Sequence, residues 1–570
     1  GVIVVTTKKG KSGQSHISYT GEYTMRLVPS YSTFNIMNSQ DQMSIYQELQ
    51  QKGYLNYAET STAVNSGIYG KMYELLNTYD STTGMFGLAN TTEAKAEYLR
   101  SAEYRNTNWF KELFSNSIQS NHSVSITAGT DKAQYYASFS AMSDPGWTKS
   151  SQVQRYTANF NANYNVSSRV TFGLIGNASY RKQKAPGTIS ATTDPVSGKV
   201  NRAFDINPYS FALNTSRALS TTDYYTRNYA PFNILRELDN NFIELNVVDV
   251  KFQGELKWKV LQGLEVSALG AVRYQSSSQE HNIMDDSNQA IAYRTGLDDA
   301  TIRDENDWLY KNPDNPYALP ISILPEGGIY QRQDRKMLGL DFRGTVSWNH
   351  LFAEKHITNL FAGMEVNDLQ RSNSSFQGWG MQYSMGEIPS YVYQYFKKGI
   401  ETGEKYYSMG HTRYRSVATF ANATYSYDGR YTLNGTYNHG SMDNTVYTRP
   451  FYSGGNAPYY LVEDSWTPEN TSARYPRLSA IHNGNNAYTS SWWLVNGNFL
   501  RLKNLQFGYT IPKKILAKAN IGLSNVRVYV AGTNLFTFTE FKYCDPEMAI
   551  INNGYYPQQK NYSVGLNITF

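Results

Sequence analysis

The stretch KFQGELKWK at positions 251–259 carries an apolar residue or glycine at every second position. In an extended strand, Phe252, Leu256 and Trp258 therefore point to one side and the charged residues point to the other. Many segments of the chain repeat this alternation, and the connections between them are by turns short and long. One apolar and one polar face, with short turns at one end and long loops at the other, are typical of a transmembrane β-barrel. The predicted fold class is all-β, a transmembrane antiparallel β-barrel with about 14 strands visible.

The composition agrees with this fold class. Of 570 residues, 40% are hydrophobic and 14% are aromatic, as expected when half of each strand is apolar and aromatic girdles flank the membrane. No run of about 18 apolar residues is present, so a transmembrane helix is not predicted. Cys544 is the one cysteine, which excludes a disulfide framework, and the net charge of +5 is spread along the chain, so nucleic acid is not an expected partner.

The spacing of the strands predicts a topology. Segments 155–164 and 170–180 form one hairpin across Ser167 and Ser168, and 338–348 and 358–366 form another. If the first strand starts in the periplasm, every long connection lies outside the cell and both ends of the chain are periplasmic. These predicted extracellular loops are 28–119, 184–243, 279–334, 368–410, 439–494 and 540–560.

Two helices are expected in the first long loop. Ser39 with Gln42 resembles a capping box, and Thr92 is a second candidate cap.

The same alternation assigns side chains to the two faces of the barrel wall. The positions predicted to face lipid are Tyr19, Phe160, Phe252, Trp258, Phe342 and Phe420, and those predicted to face the lumen are Glu22, Arg26, Asn161, Lys257 and Arg343.

The last strand ends in alternating apolar residues with a terminal aromatic, at Tyr562, Val564, Leu566, Ile568 and Phe570. This pattern resembles the C-terminal signal by which outer-membrane barrels are recognised for insertion. The alternative is an ordinary closing strand.

Several motifs, in order along the chain, carry a family resemblance. They are GVIVVTTKKG at 1–10, GTDK at 129–132, WTPEN at 466–470, NFLRLKNL at 498–505 and GTNLFT at 532–537. Together they resemble the SusC/RagA-type TonB-linked outer-membrane transporters. The resemblance implies that residues 1–10 are the last strand of the plug domain and that 11–570 form the barrel with long extracellular loops. Family barrels have about 22 strands, and the abrupt passage at 439–440 suggests that a segment is missing there.

The resemblance also implies a function. Such a protein imports a large nutrient, an oligosaccharide or other glycan or a peptide, across the outer membrane of a Gram-negative bacterium. A SusD-like surface lipoprotein covers the outer loops, and the TonB–ExbB–ExbD complex supplies energy through the plug. Two other classes stay open from the residues alone: a passive porin or adhesin without TonB coupling, and a soluble glycan-binding β-protein.

Nothing in the sequence reads as a catalytic constellation or a cofactor site, since no HExxH, G-x-S-x-G or phosphate-binding glycine motif occurs. Acidic clusters such as Asp298-Asp299 suit either a divalent cation or solvated loop charge. The loop aromatics Trp308, Trp379, Tyr391 and Tyr393 are the candidate contacts for substrate or partner, with packing within the loops as the alternative.

Overall fold

The computed structural model describes residues 13, 15–52, 67–187, 192–193, 200–201, 204, 206–352, 356–403, 406–427, 440–441, 459–478, 494–495, 499–519, 523–539 and 558–569. Its main feature is one antiparallel sheet of 14 strands, which confirms the predicted fold class. The strands are β1 (His16–Arg26), β2 (Ser117–Gly129), β3 (Ala133–Asp144), β4 (Gln152–Asn165), β5 (Val170–Pro186), β6 (Asn241–Leu261), β7 (Leu264–Ile283), β8 (Gly328–Phe352), β9 (His356–Gln382), β10 (Ile388–Pro389), β11 (Tyr407–Tyr427), β12 (Phe499–Thr510), β13 (Asn525–Thr539) and β14 (Asn561–Thr569). The predicted strand at 431–437 lies outside the described residues, and the two-residue β10 is a member that the sequence did not indicate.

The first and last strands of the chain are neighbours. The order across the sheet is β10-β9-β8-β7-β6-β5-β4-β3-β2-β1-β14-β13-β12, and β11 also pairs with β9. Tyr19 of β1 lies opposite Val124 of β2 on one side and Ile568 of β14 on the other. Because β1 pairs with β14, the sheet joins the first strand to the last, as a barrel wall requires.

Short and long connections leave opposite ends of the sheet, as predicted. Residues 130–132, 166–169 and 262–263 form tight turns at one end, and Gly263 has the positive φ that this turn requires. Two connections depart from the pattern. Residues 145–151 form a short connection at the long-loop end, and the turn after β12 contains a helix, Lys513–Ala519.

The strands run well beyond the predicted segments. The prediction for β9 was 358–366, whereas the strand has 27 residues, and β8 has 25. Most of the residues added to β9 are polar, on both faces, for example Ser372 and Asn373, and the few apolar ones do not alternate regularly with them. Backbone pairing does not need alternation and continues without it.

An apolar band crosses one face of successive strands. On β8 it spans 338–348, eleven residues, which matches the length of about 9–11 that a tilted transmembrane strand needs. Phe252, Phe342 and Met364 lie on this face and are exposed, as expected of side chains whose natural neighbour is lipid. The first polar residues beyond the band on β5 to β9 and on β11 are Lys182, Asn246, Ser276, Lys336, Asp368 and Arg415.

The register confirms the face assignments with one exception. Glu22, Arg26, Asn161, Lys257 and Arg343 share the polar face. The prediction for Phe420 was wrong. Phe420 lies opposite Gly363, on the face that carries Arg343 and Glu365, and its ring centroid is 5.6 Å from that of Phe361. The two rings pack against each other, which accounts for an aromatic on the polar face.

The helices lie in the connections. They are α1 (Ser39–Gln51), α2 (Gly67–Asn77), α3 (Thr92–Glu103), α4 (Trp109–Leu113), α5 (Pro208–Asn214), α6 (Ile234–Asn240), α7 (Asn288–Ala292), α8 (Ala300–Glu305), α9 (Tyr393–Thr402), α10 (Tyr459–Glu463) and α11 (Lys513–Ala519). Short two-stranded ribbons join Tyr79–Asp80 to Met85–Phe86, Thr192–Thr193 to Val200–Asn201, Tyr225–Arg227 to Ala230–Phe232 and Gly440–Ser441 to Leu494–Val495. Among the described residues, no helix is both long and apolar enough to cross a membrane.

Both predicted helix starts were one residue late. The Asn38 side chain accepts from the backbone N–H of Asp41 at 2.8 Å, and the Thr91 hydroxyl accepts from that of Ala94 at 3.2 Å. Ser39 instead donates to the Glu103 carbonyl at 2.5 Å, which ties α1 to α3.

Candidate functional site

The long connections pack into one layer, here called the cap, at one end of the sheet. Its largest cluster is buried and rich in aromatic residues, and it draws on segments 28–114, 206–238 and 459–478. Trp109 Nε1 donates to the Ser216 carbonyl at 3.0 Å, and Tyr31 Oη donates to the Ala212 carbonyl at 2.8 Å. The backbone N–H of Tyr459 donates to the Asn35 carbonyl at 2.9 Å, which adds the third segment. The cap therefore has a hydrophobic core of its own and is not a set of independent loops.

Two of the four candidate aromatics meet inside the cap. The Trp308 ring centroid is 5.7 Å from that of Tyr293, and Tyr293 lies 4.9 Å from Trp379. Trp379 in turn stacks on Tyr395 at 4.7 Å. We call these four residues the aromatic chain. The interlocked rings give Trp308 and Trp379 a packing role, and Tyr293 is the link that sequence reasoning missed.

The other two candidates, Tyr391 and Tyr393, are 88% and 71% exposed. The spacing of Tyr391, Tyr393 and Tyr395 by two suggests a strand, but α9 starts at Tyr393. The helix turns Tyr395 inward and leaves Tyr393 on the surface, where Ile400 of the same helix is 84% exposed. Three large exposed apolar or aromatic side chains close together, Tyr391, Tyr393 and Ile400, suit an interface with a ligand or a partner protein. The amphipathic pattern of residues 392–400 is the sequence signal that could have indicated this helix and its exposed face.

A buried carboxylate joins two of the connections. Glu237 of α6 accepts from the backbone N–H of Asn288, the first residue of α7, at 2.8 and 3.1 Å. The Asn288 amide donates to the carbonyls of Arg227 and Ala230 at 2.8 and 3.1 Å. Burial raises the pKa of Glu237 from its usual 4.5 to about 7, although the hydrogen bond from Asn288 and the charges of Arg227 and Arg236 act in the opposite direction. We call this contact the Glu237 joint.

The acidic clusters have structural partners. Asp299 caps α8 by accepting from the backbone N–H groups of Thr301 and Ile302 at 2.9 and 3.2 Å. Asp286 pairs with Arg236 at 2.6 Å. Within the described ranges, no three His, Cys, Asp or Glu side chains are grouped so that they could hold a metal ion.

The polar face of the wall carries fixed ion pairs. Arg26 lies 2.7 Å from Asp144, and Arg343 lies 2.6 Å from Glu365. Both pairs bridge different strands. Paired charges of both signs line the inner wall, a surface suited to polar solutes or to a polar domain.

The closing strand places Tyr562, Val564, Leu566 and Ile568 on the apolar face, opposite the apolar residues of β13. Phe570 lies outside the described residues. On the polar face, the Tyr529 ring of β13 crosses over Gly565 of β14. The Tyr529 hydroxyl then donates a hydrogen bond to the Glu22 carboxylate of β1 at 2.7 Å. Three strands, including the first and the last, are thereby tied together.

Comparison with curated proteins gives matches to TonB-dependent receptors. No protein-family model matches the chain. TonB-dependent receptor P3 of Formosa agariphila is 35% identical over 120 residues, 19% of this chain and 11% of the receptor. TonB-dependent receptor SusC of Bacteroides thetaiotaomicron is 25% identical over 264 residues, 40% of this chain and 24% of SusC. The matched regions thus span less than a quarter of these relatives' length, and neither relative is named as an enzyme.

The fold comparison covers nearly the whole chain. The structure of the RagAB peptide transporter matches 99% of this chain and 88% of its own chain, with a TM-score of 0.64 and 12% sequence identity. The RagAB peptide importer in its open-open state matches with a TM-score of 0.63. At this identity the match shows the fold alone.

Proposed function

We propose that this chain, a relative of the SusC/RagA-type TonB-dependent transporters as its motifs indicated, is the barrel through which a large nutrient is imported. Its relatives are outer-membrane β-barrel proteins, and we assign the chain to the same membrane. The observation that carries the proposal is the apolar band, eleven residues tall on β8, in a chain whose fold matches a peptide transporter over 99% of its length. Energy comes from the TonB–ExbB–ExbD complex acting on a plug, of which residues 1–10 are the last strand.

The cap is the proposed extracellular surface, and both ends of the chain are periplasmic. A SusD-like lipoprotein covers the cap, and the nutrient is held between the two. Tyr391 and Tyr393 are the side chains that we assign to this contact, because they are exposed at the cap surface beside the packed aromatic chain. Trp308 and Trp379 are the other two side chains that we assign to ligand or partner contact, and Trp379 stacks on Tyr395 of the same helix as Tyr393.

The nutrient class is an oligosaccharide or a peptide. Aromatic faces stack on sugar rings and equally pack against peptide side chains, while neighbouring polar groups bond to hydroxyls or amides.

Orientation is tested by cysteine labelling on intact cells with a membrane-impermeant thiol reagent. Asp298→Cys lies in an exposed cap segment and Lys132→Cys in the turn between β2 and β3. Both substitutions are made together with Cys544→Ser, because Cys544 lies in the predicted extracellular segment 540–560. We expect labelling of the first variant and not of the second. The reverse result would place the cap in the periplasm.

Function is tested by uptake of fluorescent oligopeptides and oligosaccharides into cells that carry the full-length protein, with and without TonB. We expect uptake of one class that requires TonB. Uptake that persists without TonB would replace the transporter with a passive porin. The double variant Tyr391→Ala/Tyr393→Ala should lower uptake, whereas Tyr317→Ala, a matched control at a 96% exposed tyrosine, should not.

A further inference from the structure

A cluster of positive charge lies on the outer face of the barrel, directly beyond the apolar band. On β11, Val417 is the last apolar residue of the band, and Arg415 and Arg413 follow it on the same face. On β9, Asp368 follows Val366 and lies opposite Arg415. The cluster therefore begins where the band ends, at the level of the lipid headgroups.

One carboxylate holds both guanidinium groups. Arg413 Nε donates to Asp368 Oδ1 at 2.9 Å, and Arg415 Nε donates to Asp368 Oδ2 at 3.2 Å. The two arginine side chains stay 48% and 63% exposed. Two cations against one anion leave an excess positive charge, and the hydrogen bonds to Asp368 fix the orientation of both groups.

Lys336 extends the cluster to β8. It lies opposite Ser372, while Arg413 lies opposite Gln370, two residues along the same strand. With strands about 4.8 Å apart and a rise of about 3.3 Å per residue, the Lys336 and Arg413 backbones are about 12 Å apart. Side chains of this length reach a common group between them.

We propose that Lys336, Arg413 and Arg415 bind the phosphate group of a phosphorylated glycolipid in the outer leaflet. Guanidinium groups match phosphate oxygens with paired hydrogen bonds, and lysine adds a compact charge. The assignment to the outer leaflet rests on the proposed orientation of the cap. Binding at this site does not depend on import, so a negative result in the uptake experiment would not contradict the phosphate site.

The test is native mass spectrometry of the detergent-purified full-length protein titrated with a bisphosphorylated glycolipid and with the same glycolipid after phosphatase treatment. We expect binding of the phosphorylated form and at least about tenfold weaker binding by Asp368→Asn/Arg413→Gln/Arg415→Gln. The control is Arg371→Gln, which removes a cation at the same height on the opposite face and should bind like the wild type. If the triple variant does not assemble, Lys336→Gln gives the same comparison, with a smaller loss.

Three results would overturn the proposal. They are equal binding of the dephosphorylated glycolipid, wild-type binding by the triple variant, and equal competition by phosphatidylglycerol or inorganic phosphate. Equal competition by phosphatidylglycerol or inorganic phosphate would mean that the site binds any phosphate group and does not select the glycolipid.

Discussion

Gly565 is the position where one added methyl group should weaken the joining of the first and last strands. A Cβ at Gly565 would overlap the Tyr529 ring, which crosses the glycine to reach Glu22. Gly565→Ala must therefore displace the ring or strain the strand. Overpacking costs about 1–3 kcal/mol, and loss of the partly exposed hydrogen bond to Glu22 adds about 1 kcal/mol. The expected loss in the free energy of unfolding is about 2–4 kcal/mol.

The measurement is urea unfolding of the protein after it has been refolded into lipid vesicles. The folded fraction at each urea concentration is read from heat-modifiable gel mobility. Gly270→Ala is the matched control, since a Cβ there has nothing within 4 Å, and it should be neutral. Tyr529→Phe removes the hydrogen bond but keeps the ring, so it should cost about 1 kcal/mol. If Gly565→Ala were as stable as Gly270→Ala, the ring would not lie across β14 and the account of strand closure would be wrong.

Three other predictions concern the band, the Glu237 joint and the chain end. Phe252→Arg, in the middle of the apolar band, should lower the free energy of unfolding in vesicles by about 2–4 kcal/mol, whereas Gln253→Arg on the polar face should cost little; equal losses would contradict the face assignment. Because burial raises the pKa of Glu237, ionisation disfavours the folded joint, so its stability should be full below pH 4.5 and fall by up to about 3 kcal/mol as pH rises through about 7. Hydrogen exchange of segment 284–292 at pH 5.5 and 8, corrected for intrinsic rates, should show this opening, and Glu237→Gln should abolish the difference. Converting Phe570 to Ser should lower the folded fraction in outer-membrane preparations without lowering export, and unchanged assembly would reduce the C-terminal segment to an ordinary strand.

The membrane-facing part of the fold was predictable because lipid and water impose opposite demands on neighbouring residues. The apolar band of β8 coincides with the predicted segment 338–348, since each of its side chains has one allowed side, whereas the strand itself runs from Gly328 to Phe352. Beyond the apolar band both faces of the sheet contact water, so the sequence gives no sign that β9 continues to Gln382. Phe420 was misassigned because two rings on the polar face can cover each other, a pairing that register alone reveals.

The candidate site was predictable only in its residue types. Aromatic side chains in long connections indicate contacts, but the sequence cannot distinguish a ring that packs inside the cap from one that meets a ligand. Trp308 and Trp379 pack against Tyr293, and their role as ligand or partner contacts stays a prediction. The Glu237 joint was missed because its two halves lie 51 positions apart and neither forms a motif.

The length of β9 bears on how an outside partner can reach the cap. From Asp368 to Gln382 the strand continues for about fifteen residues past the apolar band; at about 3.3 Å per residue and the usual tilt of about 40°, it rises some 35–40 Å above the bilayer surface. An extended peptide covers at most about 3.3–3.6 Å per residue. A lipid-anchored protein that rests on top of the cap therefore needs a tether of at least about ten residues between its anchor and its first folded element. With a shorter tether it would meet the side of the barrel instead.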